Sequence, residues 1–229
     1  MQNKKDYMIG LAIGLIIGLV IGLNLGKLDT LKEKGLPGET AGKIEGVAKK
    51  ELVQVKTDET LFSFEGSAEG WEIPDWAYDK ADYVGMDVFI SKDYAKDEET
   101  SLKLMAEFPG GIWTGAIVEV MEDFNWAKYS EVFAHVYLPE GAPADLKARL
   151  VITIGDDWKF VEMNHDAPLV AGKWNRVHAS ILQDSPDWDM TTFDEMARSN
   201  VRKLAVRVES NKEPLYNGPI YIDAVGVAY

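Results

Sequence analysis

Residues 131–138 read EVFAHVYL, and their side chains alternate between two kinds. The aliphatic residues of this stretch fall at every second position: Val132, Ala134, Val136 and Leu138. The positions between them hold Phe133, His135 and Tyr137. Because successive side chains of a strand point to opposite faces, the stretch predicts a β-strand with one face in a hydrophobic core.

The same period of two recurs along the chain from Thr60 onward, between turns rich in Gly, Pro, Asn and Asp. It predicts ten short strands, at 60–65, 83–90, 101–107, 114–122, 130–138, 147–155, 158–163, 174–181, 201–209 and 219–228. One short helix is predicted at 192–199, with Thr191 or Thr192 as its cap. Many short strands with turns between them indicate an all-β fold, an antiparallel β-sandwich.

A second kind of pattern lies near the start, where residues 8–26 read MIGLAIGLIIGLVIGLNLG without a charge. As a helix these residues span about 28 Å, close to the ~30 Å hydrocarbon core of a bilayer. They predict one N-terminal transmembrane helix, and Lys4 and Lys5 before it favour an extracytoplasmic C-terminal part. A cleaved signal peptide is the alternative, but this apolar run is longer than usual and lacks a small-x-small cleavage site.

Glycine recurs every fourth residue within this run, at Gly10, Gly14, Gly18, Gly22 and Gly26. On a helix this spacing forms a ridge without side chains, against which a second helix can pack closely. We therefore predict self-association through the ridge. The alternative is that glycine is simply common in membrane helices.

Composition limits the domain count and the kinds of partner. The chain has 229 residues, no cysteine and a net charge of −14. We predict a short N-terminal stretch and membrane helix at 1–26, a tether at 27–58 and one binding domain at 59–229. The absence of cysteine excludes disulfides and thiolate metal sites, and the acidic balance argues against nucleic acid as a partner.

Several motifs of the C-terminal part together resemble a known family. In order, they resemble the β-jelly-roll carbohydrate-binding modules of the galactose-binding-like superfamily, in particular those attached to bacterial mannanases and other glycanases. The motifs are Phe62-Ser63-Phe64-Glu65-Gly66, Gly70-Trp71, Ser101-Leu102-Lys103-Leu104, Trp113-Thr114-Gly115-Ala116, Asn125-Trp126-Ala127-Lys128-Tyr129, Val136-Tyr137-Leu138-Pro139, Gly155-Asp156-Asp157-Trp158, Gly172-Lys173-Trp174 and Tyr216-Asn217-Gly218-Pro219-Ile220-Tyr221-Ile222-Asp223. The resemblance implies a jelly roll that binds glycan without catalysing a reaction.

Glycan sites use exposed aromatic rings as platforms for the flat C–H faces of sugars. Four tryptophans lie in or beside predicted loops and are the platform candidates: Trp76, Trp113, Trp158 and Trp188. Trp113 and Trp158 are favoured because glycine or aspartate residues flank them. Tyr137, Arg149 and Arg207 lie on polar strand faces and are candidates to bind hydroxyls. The alternatives are that each tryptophan fills a core or a loop base, and that the polar faces are solvated or ion-paired.

The resemblance also implies a structural Ca²⁺. Modules of this type often hold the ion between the first strand, a nearby loop and the last strand, where Glu65 and Asp223 match the acidic positions. Two carboxylates with carbonyl oxygens and water supply enough ligands for Ca²⁺. The alternative is that both carboxylates bind backbone amides or water.

Catalysis has little support in the sequence. His135, His165 and His178 are scattered, and neither an HExxH nor a GxSxG motif is present. We therefore predict a bacterial, membrane-anchored module that binds polysaccharide or oligosaccharide on the outer side of the membrane, at the cell surface or in the periplasm. The alternative is a scaffold whose sandwich binds a protein partner or its own copies. A glycan-cleaving enzyme is a weaker third possibility.

Overall fold

The structure is a computed structural model that describes residues 57–189, 193–211 and 215–229. The predicted membrane helix at 8–26, its glycine ridge and the tether up to residue 56 lie outside these ranges. Within the described ranges, no helix is long and apolar enough to cross a membrane.

The described chain folds into eleven strands and two very short helices. The strands are β1 (Asp58–Phe62), β2 (Gly85–Ser91), β3 (Ser101–Phe108), β4 (Trp113–Phe124), β5 (Glu131–Tyr137), β6 (Lys147–Ile154), β7 (Lys159–Glu162), β8 (Ala167–Pro168), β9 (Trp174–Ser180), β10 (Val201–Asn211) and β11 (Tyr216–Ala228). The helices are α1 (Asp75–Tyr78) and α2 (Glu195–Ser199).

Two antiparallel sheets make up the sandwich. Sheet A has the order β2-β3-β11-β5-β9, with β1 paired to β11. Sheet B has the order β4-β10-β6-β7, with β8 paired to β6. The long strands β10 and β11 are central in their sheets, so residues on their outward faces lie in the middle of two opposite surfaces.

The hydrophobic core lies between the sheets and is built from alternate residues of the strands. The aliphatic face of residues 131–138 is buried in it as predicted: Val132, Ala134, Val136 and Leu138 are all fully enclosed. Leu150 and Ile152 of β6 and Val206 of β10 close the core from sheet B. Burial of apolar surface at about 25 cal/mol per Å² is the main driving force for bringing such sheets together.

The predicted all-β sandwich is confirmed, and the ten predicted strands are present with ends shifted by a few residues. The sequence did not reveal β8 or α1, because two and four residues are too short to show a period. The helix at 192–199 is shorter than predicted. It begins at Glu195, and its cap is Asp194, whose side chain accepts a hydrogen bond from the Ala197 amide at 2.8 Å.

Candidate functional site

The outward face of sheet B carries a cluster of charged and aromatic side chains. Strand pairing places Arg207 of β10 directly beside Arg149 of β6, and Glu162 of β7 lies one row further along. Each strand has its alternate residues in the core, so these polar side chains share the opposite face.

Two glutamates bridge the two arginines. One carboxylate oxygen of Glu209 accepts hydrogen bonds from Arg149 Nε at 3.1 Å and Arg149 Nη2 at 2.9 Å. The other oxygen accepts a hydrogen bond from Arg207 Nε at 3.0 Å. Glu162 lies 2.9 Å from Arg207 Nη2 and 3.6 Å from Arg149 Nη1. Arg207 and Glu209 are both buried. The network holds two guanidinium groups in fixed positions with their charges compensated.

Three aromatic rings lie edge to face beside this network. Trp76 and Tyr83 have ring centroids 4.8 Å apart, and Tyr83 and Trp113 have centroids 6.1 Å apart. The Arg207 guanidinium lies over the Trp113 ring. Burial is the main cause that raises the pKa of Tyr83, and the nearby Arg207 opposes it. Tyr83 therefore stays a neutral phenol that can donate a hydrogen bond.

The backbone positions these rings in two ways. The segment before β2 runs along the edge of sheet B, where Tyr83 pairs with Gly115 and Glu72 pairs with Glu119. A Cβ atom at Gly115 would lie 3.4 Å from both Arg207 Cδ and the Trp113 ring, so the absence of a side chain leaves room for both. We call Trp76, Tyr83, Trp113, Arg149, Glu162, Arg207 and Glu209 the aromatic–arginine site.

The aromatic–arginine site combines partly open aromatic rings with hydrogen-bonding groups, the two features that bind a polar ring-shaped ligand. Trp76 and Trp113 are half-buried, so part of each indole is open to solvent while its position is fixed by packing. Guanidinium donors, carboxylate acceptors and the Tyr83 hydroxyl lie next to these rings. Such a surface can stack on an apolar ring face and bind hydroxyls at the ring edge.

Trp158, the second favoured platform, lies at the other end of sheet B. It is 51% exposed, with a positive φ of 54° in the turn between β6 and β7. Trp113 pairs with one end of β10 and the end of β6 pairs with the other, so about 33 Å of strand separates the two regions. Trp113 and Trp158 therefore do not form one compact site. A cavity of about 560 Å³ lies between the Trp158 turn and α2.

Trp188 does not fit its predicted role as a platform. Only 4% of it is exposed, its Nε1 donates to the Ser180 carbonyl oxygen at 2.8 Å, and its ring packs on Phe193. The loop that contains Trp188 folds back on the core and forms a bridge with Met163, which encloses the indole.

Tyr137 is separated from the two arginines with which the sequence grouped it. It lies on the outward face of sheet A, whereas Arg149 and Arg207 lie on the outward face of sheet B. Only 7% of Tyr137 is exposed, because Tyr94 stacks on it with ring centroids 4.4 Å apart. The sequence shows that a side chain points away from the core, but not which sheet its strand joins.

The acidic pair Glu65 and Asp223 converges on the loop between β2 and β3. Asp223 is fully buried and accepts from the amides of Lys96 at 2.7 Å, Asp97 at 3.1 Å and Ala224 at 2.6 Å. Glu65 accepts from the amides of Glu99 at 3.1 Å and Thr100 at 3.0 Å. Burial raises the pKa of Asp223, and the amide hydrogen bonds oppose the rise.

These contacts match the amide-bonded alternative for the pair. Among the described residues, no group of three or more His, Cys, Asp or Glu side chains is placed to hold a metal. A calcium ion here would need ligands from carbonyl oxygens and water in addition to the two carboxylates. Calcium binding at Glu65 and Asp223 stays a prediction.

Tyr83, Glu162 and Glu209 belong to the aromatic–arginine site although the sequence did not single them out. Glu209 carried a usable signal, because it lies two residues from Arg207 and therefore on the same strand face. Glu162 reaches the site because β7 pairs with β6, and Tyr83 reaches it because the segment before β2 runs along the edge of sheet B. Local sequence spacing predicts neither position.

Comparison with known proteins identifies solved structures that share this fold. No protein-family model matches the sequence, and no curated protein matches it significantly. Solved structures with the same fold include the carbohydrate-binding module CBM27-1 of Caldicellulosiruptor saccharolyticus in complex with mannohexaose, with 19% identity and a TM-score of 0.50 over 76% of this chain and 95% of that one.

Two further solved structures have the same fold. One is CBM28, a module specific for non-crystalline cellulose, with 14% identity and a TM-score of 0.52 over 72% of this chain and 90% of that one. The other comes from work on promiscuous specificity among β-sandwich carbohydrate-binding modules, with 16% identity and a TM-score of 0.51 over 74% of this chain. The match spans only 62% of that longer chain. The described part of the chain therefore has the β-sandwich fold found in carbohydrate-binding modules.

Proposed function

We propose that this chain is a non-catalytic, membrane-anchored module that binds polysaccharide through the outward face of sheet B. The aromatic–arginine site carries the proposal. Trp76 and Trp113 present part of their rings beside hydrogen-bonding groups that a buried ion-pair network holds still. Fixed positions matter because a ligand then binds without the cost of ordering flexible side chains.

The charge balance of the site indicates the class of glycan. Arg149 and Arg207 are compensated by Glu162 and Glu209, and the neighbouring Lys147 is paired with Asp166 at 2.6 Å. A surface with balanced charges offers donors and acceptors but little net attraction for an ionic polymer. We therefore propose a neutral polysaccharide. The solved structures with this fold are consistent with that class, since mannohexaose and cellulose are neutral.

We also propose that residues 8–26 anchor the domain and that the glycine ridge joins copies side by side. The acidic balance of the remaining chain suits a soluble domain on the outer side of the membrane. Several copies along a membrane would hold one polymer through repeated weak contacts, which raises the apparent affinity without any new contact.

Affinity electrophoresis tests the proposal. The full-length chain, kept in a detergent without a sugar headgroup, is run through gels that contain mannan, cellulose derivatives or xylan. We expect one or more of these polymers to retard it, and Trp113→Ala to reduce the retardation. Recovery of a specific membrane protein partner, without retardation by any glycan, would favour the scaffold alternative instead.

A further inference from the structure

The outward face of sheet A carries a second aromatic surface, on the side of the sandwich opposite the aromatic–arginine site. One row across this sheet is almost entirely aromatic and runs through Phe89, Lys103, Tyr221, Tyr137 and Trp174. Tyr137 and Tyr221 are 7% and 2% exposed although they point away from the core. Tyr94, in the loop between β2 and β3, packs on both of them.

Beside the row is an open cavity of about 700 Å³. Its lining includes Asp93, Tyr94, Glu140, Tyr216, Asn217 and Tyr221. We call it the tyrosine pocket. Its volume falls within the range of about 300–1,000 Å³ that is typical of small-molecule sites. The lining combines aromatic rings with carboxylate, amide, hydroxyl and carbonyl groups.

The aromatic wall of the pocket is held in place by packing. Tyr94 stacks on Tyr137 and meets Tyr221 edge-on, with centroids 5.0 Å apart, yet it remains 38% exposed. Tyr216 folds over Gly218, where a Cβ atom would lie 2.8 Å from the Tyr216 hydroxyl oxygen. That hydroxyl donates to the Pro219 carbonyl oxygen at 2.7 Å. Tyr94 is therefore the most exposed of the three lining tyrosines, and it lies on a packed base.

The charges at the pocket narrow the class of ligand. Lys103 Nζ donates to Asp93 at 2.6 Å and also lies over the Tyr221 ring, 5.4 Å from its centroid. The Tyr221 hydroxyl donates to the same Asp93 oxygen at 3.1 Å. The Lys103 ammonium therefore already occupies the cation position over Tyr221, and Asp93 compensates its charge. Glu140 at the rim disfavours an anion.

We propose that the tyrosine pocket is a second saccharide site, which binds a neutral sugar unit on Tyr94 with its hydroxyls at Asp93 and Asn217. The inference rests on the proposed function, because it assumes a chain that binds glycan. The two sites face away from each other across a sandwich whose sheets are about 10 Å apart. One copy can therefore hold two separate polysaccharide chains, or two distant parts of one.

Calorimetric titration of the full-length chain, in a detergent without a sugar headgroup, tests this directly. The probes are mannohexaose, cellohexaose and xylohexaose, with tetramethylammonium chloride as the cation. We expect two saccharide sites per chain. Tyr94→Ala should leave one site, whereas Tyr94→Phe, which keeps the stacked ring, should keep both within about threefold in affinity. The matched control is Tyr229→Ala, another exposed tyrosine that packs on a more buried one, Tyr129, and it should keep both sites.

Trp113→Ala separates this inference from the proposed function. A site that survives Trp113→Ala and disappears with Tyr94→Ala supports the tyrosine pocket. A single site that Trp113→Ala removes and Tyr94→Ala leaves intact overturns the pocket and keeps the proposed function. If wild-type chain binds none of the three hexasaccharides, both fail. Binding of tetramethylammonium that Tyr94→Ala removes would overturn the assignment to neutral sugars.

Discussion

The guanidinium carbon of Arg207 lies 5.6 Å from the centroid of the Trp113 ring. A buried cation on one side of the indole, with Tyr83 edge-on to it, leaves the rest of the ring as a platform of fixed orientation. We expect Trp113→Ala to weaken glycan binding by about 2 kcal/mol, or roughly 30-fold in Kd, because a positioned aromatic anchor is lost. Isothermal titration with a short oligosaccharide measures this.

The matched control for this change is Trp158→Ala, which removes an indole about 33 Å away along sheet B. A trisaccharide should bind the control like wild type, and only a long polysaccharide should show a loss. Trisaccharide binding that is unchanged by Trp113→Ala would contradict the placement of the site.

Glu209 should matter to stability as well as to binding. Its buried carboxylate bridges the partly exposed Arg149 and the buried Arg207, so Glu209→Ala removes one ion-pair partner from each guanidinium group. We expect the free energy of unfolding to fall by about 3 kcal/mol. Urea unfolding followed by circular dichroism measures it.

Glu99→Ala is the control, because Glu99 also pairs at 2.9 Å, with Lys92, but both side chains are about three-quarters exposed. An exposed pair of this kind contributes about 0–1 kcal/mol. Equal decreases in the free energy of unfolding for the two variants would show that burial does not determine how much the ion-pair network stabilises the fold.

The fold could be predicted from the sequence because the alternation that indicates each strand is a local pattern. In residues 131–138 the alternation alone identifies the face that packs in the core between the sheets, and the same holds for Leu150, Ile152 and Val206. The caps and very short elements were not readable. Asp194 rather than a threonine caps α2, and α1 has only four residues.

The site was only partly readable, because it depends on contacts distant in sequence. Trp113 and Arg207 were named from the sequence, and they do lie together. Tyr137 was grouped with Arg207 although the two lie on opposite sheets, since alternation does not reveal sheet membership. Trp188 lies in a loop that folds back on the core, and loop composition does not distinguish such a tryptophan from an exposed one.

The pH dependence of stability should reflect His135. Burial lowers its pKa, although its Nδ1 lies 3.1 Å from the Ala224 carbonyl oxygen, to which it can donate. A folded-state pKa below the unfolded value of about 6.5 means that the unfolded chain binds the proton more readily. Stability is then complete above pH 6.5 and is lost as the pH falls through the folded-state pKa.

We expect the urea midpoint to decrease between pH 7.5 and pH 5.5, and His135→Gln to reduce that decrease. His165→Gln, which changes an exposed histidine, is the control. A decrease of the same size in wild type and His135→Gln would assign the pH dependence to other groups.

Self-association through the predicted membrane helix is tested by Gly14→Ile with Gly18→Ile. Branched side chains at the centre of the ridge would prevent close approach of two helix backbones. We expect the pair to abolish dimers in a bacterial membrane two-hybrid assay. The control is Leu15→Ile with Leu19→Ile, which changes shape off the ridge. Unchanged association of the glycine variant would remove the ridge as the contact.

Calcium binding is tested at Glu65 and Asp223. The buried Asp223 carboxylate has a raised pKa and accepts hydrogen bonds from three backbone amides, so it already has partners without a cation.

A Ca²⁺ ion that binds the folded state alone would stabilise it by mass action, by about 2.7 kcal/mol at a hundredfold excess over Kd. We expect the melting temperature of EDTA-treated protein to rise on addition of CaCl₂, and Glu65→Gln to abolish the rise. MgCl₂ is the control, because Mg²⁺ demands a smaller octahedral site and should have less effect. A melting temperature that CaCl₂ leaves unchanged would mean that the amides of the β2–β3 loop are the partners of both carboxylates and that no ion is required.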